Sequence, residues 1–230
     1  MTAELESRIL IMGAMTEEID KLLSVITHER EERWNGFLLH FGKLDGRAVI
    51  VCKSGIGKVF AALITQHLID RYRISHTLFT GVAGAVADAL EPGDIVLGVN
   101  LLQHDMNASA LGFERGHIPF TDYRHFPGDP ALLEAARDCV LPDVRIQPGC
   151  IGTGDQFITD KSGLRELEID CVDMEGCAVA QVCAVNAVPC LIIRVISDKA
   201  DGSAKIDFAA NLPRFASRSL ELIRFILARI

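Results

Sequence analysis

Three acids, Glu18, Glu175 and Asp198, stand at or just beyond the ends of short apolar runs. Paired carboxylates are the usual apparatus for cleaving a glycosidic bond: one protonates the leaving group while another activates water against an oxocarbenium-like centre. With the small-residue loop Gly81-Val82-Ala83-Gly84-Ala85 and the aromatic Phe157, they suggest a pocket for a neutral or cationic ring that bears a polyol. Each acid also has a plainer reading. Asp198 could cap a following helix. Glu17 and Glu18 could complement the dipole of the helix they open. Asp173 and Glu175 share a face if their segment is extended, and Phe157 could be a core aromatic.

These residues need elements to hold them. The spacing predicts buried strands at Arg8–Gly13, His76–Thr80, Ile95–Val99, Arg145–Gly154 and Cys190–Val195. A short strand from Cys171 ends in the acids near Glu175. Phe37–Phe41 and Ala48–Cys52, joined at Asp45-Gly46, read as a hairpin. Helices are expected from about Glu17 with Thr16 as cap, then at Val59–Arg73, Asp129–Val140, Cys177–Asn186 and Phe208–Ile230. Gln103–Tyr123 lacks clear periodicity and reads as a long loop with apolar residues for a partner or substrate. Strands alternating with helices, without repeat or linker, imply a single α/β domain over residues 1–230, a central mixed twisted sheet flanked by helices.

Composition narrows the classes. Of 230 residues 49% are hydrophobic and 23% charged, as a packed core requires. A net charge of −8 argues against nucleic acid or an anionic membrane as partner. No apolar run reaches membrane-spanning length, and the polar, acidic start is unlike a secretory signal. Seven cysteines without a Cys-x-x-Cys pair read as reduced, packed thiols of a cytoplasmic protein. No dinucleotide fingerprint follows the first strand, and Gly55-Ile56-Gly57-Lys58-Val59 departs from the phosphate-loop pattern. Its glycines instead permit close approach of the backbone to a ligand or a neighbouring strand. His104 and Asp105 have no third metal ligand at a recognised spacing, so neither a metal nor a cofactor is expected.

At these residues the chain resembles a known family. Gly13-Ala14-Met15-Thr16-Glu17-Glu18, Lys53-Ser54-Gly55-Ile56-Gly57-Lys58-Val59, Thr80-Gly81-Val82-Ala83-Gly84, Gly154-Asp155-Gln156-Phe157-Ile158, Val172-Asp173-Met174-Glu175 and Arg194-Val195-Ile196-Ser197-Asp198 are similar, in order and spacing, to the motifs of the 5′-methylthioadenosine/S-adenosylhomocysteine nucleosidases. The resemblance implies a nucleoside phosphorylase-like fold, a homodimer, and hydrolysis of the N-glycosidic bond to release adenine. It implies that Asp198, supported by Ser197, protonates adenine N7 and that Glu18 helps activate water. It gives Glu175 the ribose hydroxyls, Met174 the sugar, Phe157 the adenine face and Ile158 the base edge through its backbone. Phe208 fits a further aromatic near the base, and Met15 and Ile56 line the sugar and alkylthio end. The loop with Ala108, Leu111, Phe113 and Pro119 resembles the segment that closes a neighbouring subunit's pocket. Val82 stands where many relatives have serine, and Ala85 replaces a common glycine. The pocket loop also departs at Met106, Asn107 and Leu111. These differences bear on substrate preference more than on the reaction.

Three other readings compete. A phosphorylase of the same fold would need cations or converging backbone donors for phosphate, and the first loop offers Glu18 and no arginine. A hydrolase of the same fold could take another purine nucleoside, such as an aminodeoxyfutalosine-type substrate. A non-catalytic nucleoside-binding module would keep Phe157 and Glu175 but have no use for both Glu18 and Asp198.

Overall fold

Alternate residues of the first strand face opposite ways, and each set is apolar. Ile9 and Ile11 enter one buried cluster, and Leu10 and Met12 the other. A strand buried on both faces needs a layer on each side. The computed structural model, which describes residues 6–200 and 204–230 and the side chains of 6–200 and 214–230, supplies both layers.

In chain order the strands are β1 (Arg8–Gly13), β2 (Thr27–Trp34), β3 (Phe37–Leu44), β4 (Arg47–Lys53), β5 (Ile74–Ala85), β6 (Ile95–Gln103), β7 (Phe126–Pro127), β8 (Ile146–Thr153), β9 (Cys171–Asp173) and β10 (Cys190–Asp198). The helices are α1 (Thr16–Val25), α2 (Lys58–Arg71), α3 (Pro130–Ala136), α4 (Gly176–Val185) and α5 (Ala204–Leu227). Among the described residues the strands form one mixed sheet, ordered β10-β6-β8-β9-β5-β1-β4-β3-β2, with β7 on β6. β10 also pairs in parallel with β5, so β5, β10, β6, β8 and β9 close into a ring. On one side α1 and α5 cover Ile11, Val51, Leu78 and Ile193 through Ile19, Leu22, Leu222, Ile223 and Ile226. On the other, α2 and α4 cover Leu10, Ile50, Phe79 and Ile192 through Ile64, Leu68, Cys177 and Val179. This is the central mixed sheet flanked by helices expected from the sequence.

Several local readings change. β2, Thr-His-Glu-Arg-Glu-Glu-Arg-Trp, is a mostly exposed edge strand with no apolar alternation to betray it. Gly81–Ala85 is not a loop but the last part of β5, paired with β10 and β9. Thr16 does not cap α1. It is the first helical residue, and the free N–H groups of Ala14 and Met15 are taken by the Glu18 side chain. α3 stops at Ala136, short of the expected Val140, although Asp129 caps it by accepting from Ala131 and Leu132 at 2.9 and 3.0 Å. Asp173 and Glu175 do not share an extended face, because β9 ends at Asp173 and Glu175 is the N-cap of α4.

Candidate active site

The parallel strands β1, β5 and β10 end on the same side of the sheet, and β9 meets the end of β5 from the opposite direction. A cavity of about 250 Å³ opens there, small but on the scale of a ligand pocket. Met15, Glu18, Ile56, Val82, Phe157, Ile158, Met174, Glu175, Ser197 and Asp198 all line it. Segments spread from Met15 to Asp198 are thus brought to one place. Ala108, Leu111, Phe113 and Pro119 do not reach this cavity. Phe113 packs on His117 and Phe120, and Leu111 is exposed. The side chain of Phe208 lies outside the described residues.

Beneath the cavity floor is a charge that the sequence reading passed over. Arg194 points off β10 into the core and is 1% exposed. Its Nε donates to Asp173 Oδ2 at 2.7 Å, its Nη2 lies 3.9 Å from Glu175 Oε2, and its guanidinium stacks 4.5 Å from the Phe79 ring centre. Burial would ease its proton off, but the negative charge of Asp173, Glu175 and Glu18 outweighs that and holds it more firmly cationic than usual. Asp173 is held in turn by Thr153 Oγ1 at 2.5 Å and by the Gly176 N–H at 3.0 Å. Gly81 makes the space: a Cβ there would lie 2.4 Å from Arg194 Nη1 and 2.7 Å from Glu18 Oε1.

The three acids sit in different surroundings. Glu18 accepts from the N–H groups of Ala14 (2.7 Å), Met15 (3.0 Å) and Val82 (3.1 Å). Burial pushes its carboxyl up, against the pull of Arg194 and those N–H groups. Glu175 accepts from the Gly57 N–H at 2.8 Å, which the positive φ of Gly57 (96°) turns toward it. Its carboxyl is pushed up to about 7, first by burial and then by Asp173, with Arg194 and the Gly57 N–H opposing. Asp198 Oδ1 accepts from the Ala200 N–H at 2.8 Å, and its Oδ2 is 2.6 Å from Ser197 Oγ, which is also 3.2 Å from the Ala83 carbonyl. α5 begins only at Ala204, so Asp198 closes a turn and is not that helix's cap.

The Phe157 loop is clasped by residues with no assigned role in the sequence reading. Asp105 accepts from Lys58 Nζ at 2.6 Å and from the Asp155 N–H at 2.9 Å, while Asp155 accepts from the Lys58 N–H at 2.9 Å. Asp105 therefore belongs to an ion-paired clasp, and His104 lies buried behind it. The thiols of Cys52 and Cys150 are pushed up by burial to about 12 and about 11, so neither is a thiolate near neutral pH.

Residues 8–228 match the family model described as the phosphorylase superfamily. The 5′-methylthioadenosine/S-adenosylhomocysteine nucleosidase of Chromohalobacter salexigens is 33% identical, with 97% of each chain covered. The crystal structure of such a nucleosidase from Colwellia psychrerythraea, in complex with adenine, superposes with a TM-score of 0.91 at 32% identity, covering 98% of this chain and 96% of that one. The futalosine hydrolase of Helicobacter pylori superposes with a TM-score of 0.90 at 32% identity, covering 97% and 98%.

The raised carboxyl of Glu175 has a consequence for stability. Between its ordinary value of 4.5 and about 7 the folded chain keeps a proton that the unfolded chain has released. Its contribution to stability is therefore present at low pH and lost as pH rises through that window. Glu175→Gln removes this dependence. Denaturant unfolding at pH 5 and pH 8 should show wild type losing stability relative to E175Q on going to the higher pH, by an amount on the order of 3 kcal/mol at most. A difference that stays constant or grows would contradict the assignment.

Proposed function

The chain belongs to the phosphorylase superfamily, and from that premise we propose that it is a hydrolase cleaving the N-glycosidic bond of 5′-methylthioadenosine and S-adenosylhomocysteine. The observation that carries the reading is one small cavity lined by Glu18 from the first turn of α1, Asp198 from the end of β10 and Glu175 from the start of α4, together with the ring of Phe157. The products are adenine and a thioribose sugar, as methionine salvage requires.

Asp198 is the acid for adenine N7. It must be able to hold a proton, and Ser197 suits either state. An ionised Asp198 accepts from the serine hydroxyl, whereas a protonated one donates to it while that hydroxyl donates to the Ala83 carbonyl. Glu18 draws the proton from the attacking water. Burial raises its basicity against the pull of Arg194, and the three backbone N–H groups fix its aim while leaving a lone-pair direction open. Glu175 has one oxygen held by Gly57 and offers the other to the adjacent ribose hydroxyls. Phe157 stacks on adenine, Ile158 reads its edge through the backbone, and Phe208 adds a further aromatic. Met15, Ile56, Val82 and Met174 enclose the sugar and alkylthio end.

Water is favoured over phosphate because no lysine or arginine lies among the described lining residues, where four carboxylates do. Arg194 is committed to Asp173 below the floor. A second substrate class, the aminodeoxyfutalosine type, is supported by the likeness to the futalosine hydrolase. We read residues 1–230 as one cytoplasmic domain that pairs as a homodimer. Exposed Val59, Phe60 and Leu63 on α2 and Val185 on α4 support the pairing, with Ala108, Leu111, Phe113 and Pro119 closing the partner's pocket.

Incubation with methylthioadenosine, with and without phosphate, tests the reaction. Free methylthioribose is expected in both, and a sugar 1-phosphate would convert the reading to phosphorolysis. Asp198→Asn keeps the shape but cannot transfer a proton. Adenine release should fall by about 10²–10⁴-fold with binding of an unreactive analogue retained, and turnover within a few-fold of wild type would reject Asp198 as the acid. A solution mass twice that of the chain is expected, and a fully active monomer would remove the dimer and its pocket loop.

A further inference from the structure

Away from the cavity, on the sheet edge, three potential metal-binding side chains meet across β2 and β3. We propose that His28, Glu31 and His40 form a binding site for a divalent transition metal of the zinc class.

The register explains the meeting. Glu31 lies directly opposite His40, and His28 opposite Gly42. Residues 28 and 31 are an odd number apart and would face opposite ways on a regular strand. An irregularity between His28 and Arg30 shifts the register by one residue and turns His28 onto the face of Glu31 and His40. Gly42 allows the close approach, since a Cβ there would lie 2.5 Å from the Thr27 carbonyl oxygen. One ligand atom from each of the three then falls within 4.8 Å of the others.

Two details give the cluster the donor chemistry of a metal site. His28 Nε2 is 3.1 Å from the Leu23 carbonyl at the end of α1. Donation there fixes the proton on Nε2 and leaves the Nδ1 lone pair free, the arrangement metal-bound histidines commonly adopt. His40 is buried, and its Nδ1, 3.0 Å from Glu31 Oε1, makes no hydrogen bond. That nitrogen is desolvated and stands close enough to the carboxylate for one cation to be held by both. Two imidazole nitrogens and one carboxylate oxygen suit zinc at about 2.0–2.2 Å. His28 and Glu31 are exposed and can close the short remaining distance, with water taking the fourth position. A bound ion would tie the edge hairpin to the end of α1.

The test uses the full chain without a histidine tag, titrated calorimetrically with zinc chloride and followed by absorbance with cobalt chloride. One ion per chain is expected, with cobalt bands of a four-coordinate site and no thiolate charge-transfer band. His28→Gln and Glu31→Gln, both at exposed positions, and His40→Gln should each weaken binding by tenfold or more, and zinc should raise the melting temperature of wild type but not of H28Q. Absence of binding, equal affinity in H28Q and E31Q, or a thiolate band placing the ion on cysteine would each overturn the proposal.

Discussion

The structure depends on one buried cation. Arg194 lies in a strand that is otherwise apolar from Cys190 to Ile196 and buried along its length, where an unpaired guanidinium would be prohibitively costly. Its presence obliges three other segments to come to it. Asp173 must end β9 within hydrogen-bond reach, Glu175 must follow at the start of α4, and Phe79 must offer its ring from β5. Gly81 must lack a side chain so that Arg194 and Glu18 can share its face of β5. Removing one partner of such a pair leaves the other charge stranded, which typically costs about 3–5 kcal/mol. The ring of strands closed by β9 and β10 and the floor of the cavity are therefore parts of one electrostatic arrangement.

That arrangement also differentiates the acids. Asp173 lies against the guanidinium and is saturated by Thr153 and Gly176, so it has no capacity left for a ligand. Glu175 is buried, lies farther from Arg194, at 3.9 Å, and feels Asp173 as a like charge, so its carboxyl is pushed up to about 7. Glu18 feels Arg194 only through space while three backbone groups grip it. Asp198, on the far wall, has a serine as its partner in place of a cation. Four carboxylates around one small cavity thus acquire distinct tasks from their neighbours, the general way in which one site runs both acid and base chemistry.

The strands and helices that carry the site were legible because their apolar periodicity is strong. Both faces of β1, β5 and β10 are buried, and such strands read as continuous apolar runs. β2 was not legible, since an exposed edge strand has no apolar face to show. The three acids of the candidate site could be found at or just beyond the ends of apolar runs, whereas Arg194 was passed over although its signal was present. A lone arginine inside a buried strand demands a buried acid, and Asp173, two residues before Glu175, was an acid without an assigned role. The clasp of Lys58, Asp105 and Asp155 left no such trace, because it joins residues up to 97 positions apart through exposed and half-buried polar groups. The bulge that gathers His28, Glu31 and His40 is a property of register, and register between two strands is set by turns and neighbours more than by local residue types.

The same buried charge explains how a fold suited to holding phosphate can favour water. A phosphorylase must present positive potential at the face where its nucleophile arrives. Here the nearest cation is Arg194, and its field is spent within the core on Asp173, Glu175 and Glu18. What reaches the cavity is the excess of carboxylate over guanidinium, a surrounding that disfavours an anion and favours a cationic transition state. An oxocarbenium-like sugar matches that surrounding, and so does an adenine that becomes neutral only on accepting a proton as the bond breaks. Neutral water can enter without electrostatic penalty and meets in Glu18, the proposed base, a carboxylate already aimed by three backbone donors. Choice of nucleophile is thus set less by any residue that touches it than by the pairing of Arg194 one layer below.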